Sequence, residues 1–98
     1  MKKAFKFTAE HFWQLVEAQK KRCALTNREL TPMSCELELR DIRRGEGRFC
    51  LENFYLVDKD LKYLCRHLGE KEVIELCAEV IQHCGRDYGY VLRKVRHE

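Results

Sequence analysis

The chain has 98 residues, of which 45% are hydrophobic and 36% charged, with a formal net charge of +3. That is enough chain for one domain with its own core and too apolar a mixture for disorder throughout. Its apolar runs fall far short of the ~20 residues that cross a bilayer, so the expected protein is not embedded in a membrane.

Near the N-terminus, basic residues are followed by Glu10, His11 and Gln14 where a signal peptide would be apolar, which predicts a cytoplasmic protein. The six cysteines at 23, 35, 50, 65, 77 and 84 are then expected as free thiols. Structural zinc is disfavoured, because such sites usually include a closely spaced cysteine or histidine pair and the nearest cysteines here are seven apart.

Thr8 is placed to cap a helix whose apolar stripe, Phe12, Leu15 and Val16, runs at i, i+3, i+4 to about Lys21. Cys23 to Thr26, a turn at Asn27-Arg28 and the return Glu29-Leu30 read as a small hairpin, with Asn27 suited to the left-handed conformation. Glu36 to Ile42 alternates polar and apolar, predicting a strand with Leu37 and Leu39 facing inward. Gly45 and Gly47 turn Arg43 to Arg48 into a loop, and Leu51 to Val57 reads as either a short strand or an extended approach to the next helix.

Asp58 is expected to cap that helix, with Leu61, Leu64, Cys65 and Leu68 on one face and Gly69 as its left-handed stop. Val73, Ile74, Cys77, Val80, Ile81 and Cys84 form the stripe of a third helix ending at Gly85, which favours Cys77 and Cys84 as small buried side chains. His67 and His83 fall near helix ends, where a polar neighbour of the dipole is the favoured reading. Tyr88 to Val95 is either a short strand or a packed tail, and the basic tail spans residues 86–98 with Arg93, Lys94, Arg96 and His97.

The series Trp13-x-Leu15-x3-Gln19-x3-Cys23-Ala24-Leu25-Thr26-Asn27-x2-Leu30 resembles the opening of HNH endonuclease domains of phage and bacterial type. The likeness continues through Leu39-Arg40-Asp41-Ile42, Gly47-x-Phe49-x3-Asn53, Val57-x-Lys59-Asp60-Leu61 and Val73 to Cys77. It implies an α+β chain, a small ββα-metal finger with an N-terminal helix and a C-terminal packing helix. The division it suggests is a single domain, 1–98, with a finger core at about 23–68, helical flanks at about 8–22 and 70–84, and the basic tail.

Family members use a divalent ion to stabilise charge on a phosphate and a histidine to activate water. The positions that usually carry the acidic ligand and the base align onto Arg40 and Asp41, a cation followed by an acid. On the finger helix, the usual histidine position carries Asp58 and the asparagine or histidine four residues on is Lys62. Asn53, which the family uses to hold the loop, is retained.

The catalytic motif is therefore degenerate, and no resident metal is expected. Asp58 and Lys62 are expected to pair across one helical turn, with Arg40 opposite them in the space of the ion. The expected partner is nucleic acid, DNA first, through Arg40, Arg43, Arg44, Arg48 and Lys62. The competing reading pairs these arginines with Glu36, Glu38, Asp41 and Glu46 as a solvated charged face. An active nuclease using Mg²⁺ or Mn²⁺ at Asp41 and Asp58, and a protein-interaction module on the same scaffold, are the functional alternatives.

Overall fold

A computed structural model describes residues 5–45 and 47–95. Helix α1 is Ala9–Ala18, strands β1 and β2 are Cys35–Leu39 and Phe54–Asp58, and helices α2 and α3 are Lys62–His67 and Glu70–Cys84. Short 3₁₀ turns occupy Leu51–Asn53, Lys59–Leu61 and Gly85–Tyr88. The result is a small α+β chain whose two strands pair antiparallel, Cys35 opposite Asp58 and Leu39 opposite Phe54. Among the described residues no helix is long and apolar enough to cross a membrane.

Helix α1 starts where its cap predicts: the Thr8 hydroxyl accepts from the His11 N–H at 3.3 Å, and His11 Nδ1 accepts from the Thr8 N–H at 3.0 Å. This is a capping box with an imidazole in the role usually filled by Glu. The helix ends at Ala18, before the expected Lys21, because Lys20 and Lys21 adopt φ of 54° and 61° and turn the chain.

The expected hairpin at Cys23 to Leu30 is reduced to one bridge, Arg22 with Glu29. Asn27 does take a left-handed φ of 64°, but the segment curls around Cys23 rather than extending. The Asn27 N–H donates to the Cys23 carbonyl at 3.0 Å, and the Cys23 sulfur accepts from the Asp58 N–H at 3.3 Å. Burial pushes the Cys23 thiol up, but donated hydrogen bonds from Thr26 and the Asp58 and Leu25 backbones outweigh it and hold the thiol below its ordinary value. A buried sulfur serves here as the acceptor that lets two turns meet.

The core lies between the hairpin and α2. Cys23, Tyr55, Val57, Cys65 and Val73 are buried together, with Leu25, Leu30, Leu61, Leu64 and Leu68 packed around them. All four residues of the α2 stripe expected from periodicity thus meet the core. The strand alternation works differently from expectation. Cross-strand partners share a face, so Glu36 and Glu38 lie with Val57 and Tyr55 on the α2 side, whereas Leu37 and Leu39 lie with Leu56 and Phe54 on the other. Leu37 and Leu39 are half-buried while Glu38 is buried.

The reason is that both faces are covered. On the far side Phe54 meets Phe5, Phe7 and Phe49, with the Phe7 ring centroid 4.9 Å away. The outer edge of β2 is closed by Gln19, whose side chain accepts from the Leu56 N–H at 3.0 Å and donates to the Leu56 and Arg22 carbonyls at 2.9 and 2.8 Å. One amide therefore performs the edge-covering work of a neighbouring strand.

Two glycines have jobs other than those expected. Gly69 is not a left-handed stop: its φ is −73° and it caps α3. A Cβ there would sit 2.8 Å from the Arg40 carbonyl oxygen, which explains the glycine by close approach of two backbones. Helix α3 does stop at Cys84, but Gly85 remains right-handed and the left-handed turn is made by Gly89, φ 89°. Beyond it the chain to Val95 forms no strand; its return is held by the Tyr90 N–H donating to the Gly85 carbonyl at 2.9 Å.

The stripe of α3 is buried only at its start. Val73 is buried, but Ile74, Val80, Cys77 and Cys84 are exposed, which corrects the expectation that the two cysteines are interior. All six cysteines are free.

Candidate nucleic-acid interface

The loop between β1 and β2 is fastened at its root. Asn53 is buried, and its side chain accepts from the Asp41 N–H at 2.9 Å and donates to the Asp41 and Arg48 carbonyls at 3.0 and 2.8 Å. The Arg40 N–H donates to the Asn53 carbonyl at 2.7 Å, and the Arg40 carbonyl accepts from the Glu70 N–H at 2.6 Å. A single amide thus joins the two ends of the loop, while the start of α3 holds its entry. The loop turns through Gly45 and Gly47, at φ of 77° and 82°, which only glycine adopts without strain.

Arg43, Arg44 and Arg48 are exposed on this loop. Arg48 lies over the Phe49 ring, 4.8 Å from its centroid, and Arg44 Nη1 reaches the Cys50 sulfur at 3.2 Å. Among the described residues no carboxylate forms an ion pair with any of the three. Glu46 lies outside the described residues, as do Arg96 and His97 of the tail.

Arg40 behaves differently. It is half-buried, pairs with Glu70 and lies over the Tyr55 ring, 4.7 Å from its centroid. Burial pushes the Tyr55 hydroxyl up, and the Cys65 neighbour adds to this. Arg40 is therefore held by Glu70 and Tyr55 and does not join the three loop arginines.

The expected Asp58–Lys62 pair does not form. Asp58 faces Arg28 at 3.5 Å and caps its turn by accepting from the Asp60 N–H at 3.0 Å, while Lys62 reaches back to Glu36 at 3.9 Å. Arg28 also holds Asp60 at 2.8 Å. Nor does Arg40 lie opposite Asp58 and Lys62. In the strand register Asp58 pairs with Cys35, and Arg40 follows Leu39 at the other end of the hairpin.

Glu36 and Glu38, the suggested partners of the loop arginines, turn instead toward α2. Arg66 stands 4.0 Å from Glu36 and 3.4 Å from Glu38. Together with Arg40 and Glu70 they form a ladder in which strand positions 36, 38 and 40 meet helix positions 62, 66 and 70. Between the first two rungs the strand period of two and the helix period of four advance by ~6–7 Å and ~6 Å and stay in step; Glu70 lies past the extended break at Leu68 and Gly69 and meets Arg40 from the start of α3. The first two rungs are marked in the sequence by Glu36-x-Glu38 and Lys62-x3-Arg66.

Burial raises the Glu38 carboxyl above its ordinary 4.5, against the opposing pull of Arg66. A carboxyl whose folded pKa is raised binds its proton more tightly folded than unfolded, so its contribution falls as pH climbs from about 4.5 through the raised value. In Glu38→Gln that loss is absent. The melting temperature of the variant relative to the parent is expected to grow from pH 4 toward neutrality, read by circular dichroism; a difference independent of pH would contradict it.

A divalent ion of the kind used by the resembled family does not fit these donors. Positions 40 and 62 carry cations that are already paired with Glu70 and Glu36. Asp41 and Asp58 sit at opposite ends of the hairpin, about 20 Å apart along six strand positions. The Asp41 carboxylate accepts from the Arg43 N–H at 3.0 Å, shaping the loop. Among the described residues no three His, Cys, Asp or Glu side chains cluster as metal ligands. His67 and His83 are exposed, the first ending α2 and the second in the last turn of α3.

Comparison of the chain with family models, with curated proteins and with solved structures returns no match.

Proposed function

We propose that the chain is an HNH-like finger with a degenerate catalytic motif that binds a nucleic-acid backbone, duplex DNA first, through Arg43, Arg44 and Arg48. The observation that carries this reading is the loop itself: three exposed guanidinium groups on a backbone tied shut by Asn53. A fastened loop loses little entropy on binding, and guanidinium forks match phosphate oxygens. The likeness of Asn53 in position and action to the loop-holding asparagine of HNH fingers supports the scaffold half of the reading. The catalytic half is opposed by Arg40 and Lys62, which fill two ligand positions with positive charge.

Arg40 and Lys62 are assigned to the ladder rather than to the ligand. Arg43→Ala/Arg44→Ala/Arg48→Ala is expected to weaken binding to a short labelled duplex by about tenfold or more at low salt, with the thermal melt unchanged. Anisotropy titration reads the first and circular dichroism the second. A triple variant that binds as tightly as the parent would refute the assignment, and EDTA-sensitive nicking of plasmid by the parent would refute the loss of catalysis.

A further inference from the structure

The end of α3 and the chain that returns past it build a second surface that joins positive charge to aromatic rings. A groove of about 360 Å³ runs between them. Ile81, Val91 and Leu92 give it apolar walls, Tyr90 a ring, and Arg86, Lys94 and the Gln82 amide its polar groups. Tyr90 is 63% exposed and Tyr88 79%, one on each side of the left-handed Gly89.

The turn that presents these rings is fastened. The Gly89 N–H donates to the Arg86 carbonyl at 3.1 Å and the Tyr90 N–H to the Gly85 carbonyl at 2.9 Å. A Cβ at the buried Gly85 would sit 2.9 Å from the Tyr90 carbonyl oxygen, so the returning backbone lies directly against the helix end. The groove is shaped before a ligand arrives, which lowers the ordering cost of binding.

Its charge is uncompensated. Arg86, Arg93 and Lys94 are exposed, and among the described residues no carboxylate forms an ion pair with any of them. Between Cys84 and Val95 the sequence carries these three cations against one acid, Asp87. Exposed rings beside unpaired cations suit a single strand of nucleic acid, whose bases stack on the rings while its phosphates meet the cations. The bases of a duplex are already stacked on one another and offer the rings nothing.

We infer that this groove binds an unpaired DNA strand, with one base stacked on Tyr90, its neighbour on Tyr88, and the phosphates held by Arg86 and Lys94. The Gln82 amide, both donor and acceptor, is available to a base edge. The apolar walls favour deoxyribose, since a ribose 2′-hydroxyl would need a polar partner there. This contact goes beyond the duplex binding assigned to the arginine loop and uses none of its residues, so each stands or falls separately.

Anisotropy titration of the full chain with a labelled twelve-residue oligo-dT is the test. Two phosphate contacts to a single strand predict a slope of log affinity against log salt of about −1.4. Tyr88→Leu/Tyr90→Leu keeps the apolar bulk and removes the stacking faces; it should weaken oligo-dT at least tenfold, with duplex binding and the thermal melt unchanged. An abasic strand of the same length should bind at least tenfold more weakly than oligo-dT. Photo-crosslinking with 5-iodo-deoxyuridine in the strand should mark Tyr88 or Tyr90 on peptide mapping. The inference is overturned if oligo-dT does not bind at low salt, if the abasic strand binds as tightly, or if the double tyrosine variant binds like the parent. Loss of oligo-dT binding in Arg43→Ala/Arg44→Ala/Arg48→Ala alone would place the strand on the loop and overturn the groove while leaving the loop assignment intact. Binding of oligo-dT without any duplex binding would do the reverse. A tenfold preference for oligo-rU overturns the assignment to DNA, and capture by phosphatidylserine vesicles without oligo-dT binding makes the surface a membrane contact instead.

Discussion

Replacing Asn53 by leucine is expected to lower the unfolding free energy by about 3 kcal/mol and to open the arginine loop. The Asn53 amide makes three hydrogen bonds to loop backbone, two at Asp41 and one at Arg48. Leucine fills a similar volume but can neither accept from the Asp41 N–H nor donate to the two carbonyls. Each backbone group then either goes unpaired or admits water into a site where Asn53 is now 3% exposed.

For a domain of this size such a loss corresponds to a melting decrease of roughly 15 °C. A second readout separates loop opening from global weakening: trypsin should cut after Arg43, Arg44 or Arg48 far faster than in the parent, at temperatures where both remain folded. Asn53→Asp is expected to be nearly as harmful, because it keeps one acceptor and turns the two donated bonds into oxygen facing oxygen. An Asn53→Leu protein with parental melting and parental cleavage would show that the amide does not close the loop.

Gln19→Leu is expected to cost about 2–3 kcal/mol through the opposite side of the same strand. Leu56 is fully buried, and on the outer edge of β2 its N–H relies on Gln19 Oε1. Its carbonyl keeps the Ala24 N–H, at 3.1 Å, when the glutamine is removed. The orphaned group is therefore the amide, and hydrogen exchange at Leu56 should accelerate more than at Tyr55 or Val57. Helix α1 buries no residue fully, so this side chain is also a principal tie between α1 and the hairpin. Exchange at Leu56 that stays as slow as in the parent would remove Gln19 from that role.

The elements of this fold are legible where one periodicity dominates. The cap at Thr8, the stripe of α2 and the glycine-rich loop before Asn53 follow from side-chain spacing and turn chemistry alone. What escapes is decided by neighbours that spacing does not name. Leu37 and Leu39 alternate with Glu36 and Glu38 as a half-buried strand should, but cover on both faces sends the acids to the α2 side, where Lys62 and Arg66 compensate them. Lys20 and Lys21 carry no mark of the left-handed conformation that ends α1; tertiary closure onto β2 imposes it.

The charged site divides in the same manner. Arg43, Arg44 and Arg48 stay exposed, as expected of a loop that two glycines interrupt. Proximity in sequence groups Arg40 with them, yet it leaves on the strand's own period to meet Glu70 and Tyr55. Asp58 and Lys62 share a helical spacing, but the first is spent on capping and Arg28, which draws it away from the second. Cys77 and Cys84 lie on an apolar stripe that periodicity marks as interior, and the stripe simply outruns the core available to cover it.

Backbone binding by the loop makes a quantitative demand on salt. With three phosphate contacts from Arg43, Arg44 and Arg48, the logarithm of the association constant for duplex DNA should fall against the logarithm of salt concentration with a slope of about −2.7. Anisotropy titrations of the parent protein across a range of salt concentrations measure that slope directly. A value near it, collapsing toward zero in the triple alanine variant, is the predicted result; binding indifferent to salt, or no binding at low salt, would contradict the account.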